Sequence, residues 1–300
     1  MVYKIIMLFF RFIIESYVVV IPSRSFSLLL IFVCFLNISV LSGNMTGNLG
    51  EPAEAEVSLK LLFTELAGAA DAEQRKEVNT RIAGLFENIL KHPCSFDYPF
   101  DSLAHVGKIT APDNQLRIFT WNYSDSPADH KYFGFLQVKN KTDDKISLFF
   151  LDHQEAGKEG FEERVFHPHN WYGALYYQVH AVVHSGKTWY TLIGFDFNNI
   201  FTNIKIIDIL SFPDGDPVFG APLFQFREGA KKRVVFEYSS EVVMFLRFIP
   251  ERDMIIYDHL SPASPRLRGQ YRFYGPDFSY DGLKFENSRW VHIPDVDWRP

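Results

Sequence analysis

The sequence predicts a mainly β fold, α+β overall: an N-terminal helical hairpin, then an antiparallel meander forming a strongly curved sheet, a sandwich or a partial barrel. Three observations carry this expectation. Aromatic residues are abundant, with 30 Phe, 14 Tyr and 5 Trp making up 16% of the 300 residues, a composition that suits pleated, half-buried surface. Helical periodicity is confined to the chain before residue 103, and short β-rich runs follow it. Many of the links between runs are brief, among them His184-Ser185-Gly186-Lys187, Pro250-Glu251-Arg252-Asp253 and Glu286-Asn287-Ser288. Such links are too short to cross over to a parallel neighbour, so the strands they join run antiparallel.

Residues 1–43 read as a leader. An apolar run over 5–21 is interrupted by Arg11, Glu15 and Ser16, whereas a second run over 28–36 is uninterrupted. The second follows Arg24 and precedes Val40-Leu41-Ser42-Gly43, the order of a secretory signal, with Val40 and Ser42 at the positions a signal peptidase reads. Export with cleavage near Ser42 is expected, to the periplasm or cell envelope. The residues before Arg24 make the signal long; a start site placed too far upstream explains them, and the alternative is a retained anchor, since a membrane helix needs roughly 20 apolar residues. Cys34 lies between bulky Val33 and Phe35, which disfavours lipidation.

Residues 44–56 are polar and carry Gly, Pro and Ala, the composition of a linker. The helical hairpin is expected over 57–92. Leu59, Leu62, Phe63 and Leu66 recur at i, i+3, i+4 and i+7, and Val78, Ile82, Leu85, Phe86 and Ile89 repeat the template after Gly68. Asp71 with Gln74 approximates a capping box, and His92-Pro93 stops the second helix. The β domain takes up 93–300, with strands expected at 117–122, 132–138, 146–152, 174–183, 188–195, 203–210, 218–226, 233–238, 242–248, 254–259, 270–274, 282–285 and 289–293. That number exceeds what one flat sheet usually tolerates, hence the curvature, with the helices covering an edge or an open end. No fixed period marks blades or a solenoid; a propeller is the alternative.

The formal charge is −6, and the longest basic run is Lys231-Lys232-Arg233. A surface that tracks phosphates has no compositional support, so nucleic acid is not expected as a partner. Losing residues 1–43 leaves −8 and one cysteine, Cys94. A lone thiol makes no intrachain bridge, so stability must come from the core. Cys94 reads as a small buried or helix-terminal residue rather than a nucleophile.

The chain ending Ser185-Gly186-Lys187-Thr188 resembles a phosphate loop, but Ala181 stands at the first glycine and a strand follows. A phosphate loop needs a helix whose amides face the anion, so this is a hairpin turn. His180 and His184 share a strand face, yet same-face neighbours are about 7 Å apart and these two about twice that, too far for one zinc without a bend. His167-Pro168-His169 lacks a third ligand at a recognised spacing. No metal and no cofactor is expected, and there is no His-Glu-x-x-His, helix-flanked calcium loop or Gly-x-Ser-x-Gly elbow. Carboxylates gather in turns: Asp196, Asp214 and Asp216, Asp277 and Asp281, Asp295 and Asp297. They either bond their own backbone or pair as acid and base across a sugar-sized cleft, about 5 to 10 Å apart.

Several segments together are distinctive: Trp189-Tyr190-Thr191-Leu192-Ile193-Gly194-Phe195-Asp196, Lys205-Ile206-Ile207-Asp208-Ile209-Leu210, Pro217-Val218-Phe219-Gly220, Met254-Ile255-Ile256-Tyr257-Asp258-His259-Leu260 and Tyr274-Gly275-Pro276-Asp277-Phe278-Ser279-Tyr280-Asp281. Over residues 90–300 this series resembles an uncharacterised family of exported bacterial proteins. The resemblance implies origin and compartment and assigns no activity.

The expected function is therefore a periplasmic or envelope binding or assembly module that presents an aromatic β surface to a glycan, peptide or envelope protein. Trp171, Trp189, Tyr176 and His180 are its candidate ligand-binding residues. The rival is a glycoside-hydrolase-like enzyme using Asp196, Asp277 or Asp281 with Tyr280 nearby. A third reading is a purely structural envelope protein. Contact with a membrane is expected only through an uncleaved N-terminal segment.

Overall fold

A computed structural model describes residues 51–152, 160–184 and 186–298. The leader and most of the linker expected from the sequence lie outside the described residues. Within them, two helices precede three mostly antiparallel sheets, none closed or strongly curled. Of the alternatives expected from the sequence, the strongly curved single sheet and the partial barrel are thus replaced by separate sheets. No described helix is long and apolar enough to cross a membrane.

Helix α1, Pro52–Gly68, starts inside the stretch expected as linker. Pro52 stands in the first turn, where its missing N–H costs nothing, and Ala53, Glu54, Ala55 and Glu56 are good helix formers. Helix α2, Ala72–Leu90, is capped by Asp71, whose carboxylate accepts from the Gln74 amide at 2.8 Å. The Gln74 side chain accepts from Ala70 at 2.8 Å, one residue earlier than a strict capping box. Leu59, Phe63, Leu66, Val78, Ile82, Phe86 and Ile89 are all buried, and the face they form lies on the first sheet.

That sheet runs β1 Gly107–Thr110, β2 Leu116–Ser126, β3 Asp129–Lys139 and β4 Ile146–Asp152 in chain order. Both of its faces are covered, so its alternation separates two cores rather than core from solvent. Phe119, Trp121 and Phe135 meet the helices, with Trp121 stacked 5.1 Å from Phe86. Leu116, Ile118, Tyr132 and Leu136 point the other way, to the second sheet. Arg117 is buried on the helix side, where its guanidinium donates to the carbonyls of Ser95, Phe96, Tyr98 and Pro99 and tethers the post-helix segment.

The second sheet has the order β11-β7-β6-β5, from β5 Leu175–His184, β6 Lys187–Asp196, β7 Thr202–Ser211 and β11 Val234–Ser239, with short β8 Val218–Phe219 on β7. It too is covered twice. Leu192, Ile206 and Leu210 face the first sheet, and Ile193, Ile207 and Ile209 face the third. The third sheet has the order β10-β9-β15-β14-β13-β12, from β9 Phe224–Phe226, β10 Gly229–Lys231, β12 Leu246–Ile249, β13 Met254–Pro262, β14 Tyr274–Glu286 and β15 Arg289–Ile293. Its β15–β9 pair is parallel.

Several strand expectations are corrected. The run 218–226 is two strands, broken at Gly220, whose φ is 98° and whose Cβ would lie 2.9 Å from the Arg164 carbonyl oxygen; there the chain passes from the second sheet to the third. The run 270–274 is largely the 3-10 turn Tyr271–Phe273. Strand β14 instead spans 13 residues through Pro276, because β15 reaches only to Gly282 and leaves Pro276 at a free edge, where proline is tolerated. Side chains of the second sheet also hold the third: Gln178 both accepts from and donates to the Phe248 backbone, at 2.9 and 3.0 Å. Arg233 and Asp208, both fully buried, pair at 2.9 Å beside the Phe161 and Arg164 carbonyls, which fastens the 161–164 segment to β7 and β11.

Candidate functional site

The residues expected to bind ligand divide sharply by burial. Trp171 and Tyr176 are core residues, 1% exposed each, with the indole N–H donating to the Tyr176 hydroxyl at 3.1 Å. Their bulk fills the space between the first two sheets, so neither ring is offered to a ligand. His180 stacks on Phe248 at 3.8 Å and stands edge-on to Trp290; burial lowers its pKa. Trp189 is half-buried and lines a cleft of about 590 Å³ with Lys187 and Phe212. The His184 side chain lies outside what the structure describes. Cys94 is exposed on the turn just after α2.

Asp196 ends β6 and is buried. Its carboxylate accepts from the hydroxyls of Tyr132 and Tyr172 at 2.9 and 3.1 Å and from the Asn198 amide at 2.7 Å. Both phenols are pushed up, first by burial and then by the neighbouring charge. Asn198, at φ 47°, passes the bracing on to Thr202 and Glu237. This held turn displays Phe197, Ile200 and Phe201, at 39%, 53% and 54% exposure. Phe197 also lines a cleft of about 620 Å³ with Tyr123, Tyr177, Phe195, Asn122 and Arg75, among others, where α1, α2 and the first two sheets meet.

The other three expected catalytic residues lie on β14. Asp277 is taken up by its own turn, accepting from the Ser279 amide at 3.1 Å and hydroxyl at 2.7 Å. Burial raises its pKa, but these hydrogen bonds outweigh that and hold it below the usual range. Tyr280 is half-buried, edge-on to Phe245 at 6.4 Å. Asp281 faces Tyr257 across the β13–β14 ladder, at the end of the core between the second and third sheets. One of its oxygens is 2.8 Å from His259 Nδ1 and 3.4 Å from His292 Nε2, and the other accepts from the Asp295 amide at 3.2 Å. Asp196 sits in a different hydrogen-bond network in another sheet.

The ladder beside His259 is irregular. The ladder shifts register between Asp258 and Leu260, so that His259 stands opposite the three looped-out residues 277–279. Bulges of this kind re-aim side chains. Phe278 in that loop has a φ of 70° and is 95% exposed, a backbone region unfavourable for a bulky residue. A carboxylate only accepts hydrogen bonds, so His259 Nδ1 carries the proton and Nε2 is left as a lone pair when the ring is neutral. The hydrogen bond to Asp281 is the main cause of a raised His259 pKa, against partial burial and with help from Asp277 and Asp295. Burial, and then Asp281, raises that of Tyr257. His292 lies between the rings of Phe226 and Tyr257 at 5.0 and 6.5 Å. His259, Asp281, His292, Tyr257 and Phe226 line a cleft of about 740 Å³.

Sequence reasoning singled out Asp281 and missed both histidines. Their one signal is parity, since Trp290 and His292 share a strand face; nothing in linear spacing ties either histidine to Asp281. Among the described residues no group of three or more His, Cys, Asp or Glu side chains is placed to hold a metal ion. No family model, curated protein or solved structure matches the chain.

Proposed function

We propose that this protein is an exported binding module of the periplasm or cell envelope that takes a glycan in the aromatic cleft beside the β6–β7 turn. The observation that carries the reading is the Asp196 brace: a buried carboxylate and its two tyrosines hold a turn whose apolar side chains remain exposed. Large apolar side chains left exposed together on one turn suit a binding surface. Rings along one wall suit the C–H faces of sugars, and Asn122, Ser124 and Arg75 in the same cleft suit their hydroxyls. Export rests on the leader pattern of residues 1–43.

Titration of the full chain with soluble plant and bacterial polysaccharides tests the reading. Binding should weaken about tenfold in Phe197→Ala, the loss of one stacked ring, with the melting temperature little changed. Peptide binding without glycan binding would replace the ligand class, and silence toward both would favour a purely structural protein. The glycoside-hydrolase alternative has less support, since Asp277 is occupied by Ser279 and Asp281 by imidazoles.

A further inference from the structure

The cleft at the β13–β14 bulge shares no lining residue with the aromatic cleft. From its geometry we infer that His259 is a general base, positioned by Asp281, that activates water against an uncharged acyl ester whose apolar part lies along Phe226, Phe236 and Tyr257. Three observations lead there. The ring is fixed through Nδ1 by a carboxylate whose side chain is only 10% exposed, while the imidazole itself is 48% exposed. That arrangement orients a base and supports the cation it becomes. The β13–β14 ladder shifts register at His259, opposite residues 277–279, and bulges of this kind recur beside active sites. The cleft walls are aromatic: Phe236 packs against Tyr257 at 4.7 Å, and Phe226 stacks on His292.

The charges around His259 narrow the substrate. Asp277 and Asp281 come from β14, Asp295 from the segment after β15, Asp258 from β13 itself, and Glu228 and Arg227 from the β9–β10 turn; His292 completes the set. Carboxylates dominate, which disfavours an anionic substrate. Glycoside hydrolysis needs an acid and a separate base or nucleophile, and two of the neighbouring carboxylates are engaged elsewhere: Asp277 with Ser279, and Asp258 with the Phe245 amide. Ester hydrolysis needs one group used twice. The water oxygen bonds to the acyl carbon as Nε2 takes the water's proton. When the tetrahedral adduct collapses, the ester C–O bond breaks and the departing alkoxide takes that proton back. Acid and alcohol leave, His259 is restored, and no co-reactant enters.

Hydrolysis of p-nitrophenyl acetate, butyrate and benzoate by the full chain tests this. Turnover should fall at least about 100-fold in His259→Gln, and added imidazole should restore part of it in His259→Ala, which separates lost chemistry from lost fold. Asp281→Asn should lower kcat with KM kept and move the ascending limb of the kcat/KM profile to lower pH, because the imidazole loses the partner that raises its pKa. A merely structural Asp281 would not move that limb. A folded chain inactive on all three esters, activity that survives His259→Gln, or a limb unmoved in Asp281→Asn would each overturn the inference. None of these readouts depends on glycan binding.

Discussion

Asp196 and Asp281 are two buried aspartates, 4% and 7% exposed, each beside a turn and among aromatic rings. They differ in what their oxygens meet. Asp196 accepts from two buried phenols and a backbone amide of its own turn, groups that hold geometry and do not titrate in the ordinary range. Asp281 meets two imidazoles in a cleft, and it raises the pKa of the His259 ring. The first carboxylate makes a scaffold and the second a site, and the distinction rests on partners from distant strands rather than on the turns themselves.

The largest expected effect separates them by stability. Asp196→Ala removes the buried acceptor of the Tyr132 and Tyr172 hydroxyls and should cost about 3 kcal/mol in urea unfolding. Asp281→Ala should cost less than about 1 kcal/mol, since the half-exposed His259 regains water. Equal losses would make Asp281 a second brace and erase the contrast.

Next comes pH. The folded pKa of His259 is raised, so its stabilising contribution is fully present below the unfolded imidazole value of about 6.5 and fades as pH rises through the folded one. The difference in unfolding free energy between the protein and His259→Gln should therefore shrink from pH 5.5 to pH 9. A difference that is flat or grows across that interval would show that Asp281 does not favour the imidazolium.

The smallest effect is at the bulge loop. Phe278 has a positive φ and a ring almost wholly in solvent, so Phe278→Gly should stabilise by about 0.5–1 kcal/mol through relief of strain. A lower melting temperature would mean that the ring holds the loop and that the strain account is wrong.

How much of this was legible depends on the range of the interaction. The helical pair could be read because Leu59, Phe63, Val78 and Phe86 keep a 3.6-residue period, and most strands because their turns are marked by Gly, Pro, Asp and Asn. The division into three sheets could not. Alternation says that Phe119 and Ile118 face opposite ways, not that both faces are buried, and only the second burial separates stacked sheets from one curved wall. Abundant aromatics likewise suggested a displayed surface, while Trp171, Tyr176 and Trp290 went into cores between layers. At the site, Asp281 was visible as a turn carboxylate, but His259 comes to it from β13 and His292 from β15, the strands on either side of β14. Neither relation leaves a trace in spacing along the chain.

The most direct measurement is an NMR titration of the His259 ring in the protein and in Asp281→Asn. The midpoint should lie above the ordinary imidazole value, with Nδ1 protonated in the neutral ring, and should fall once the carboxylate becomes an amide. A midpoint at or below the ordinary value, or one that the substitution leaves in place, would contradict the pairing of Asp281 with His259.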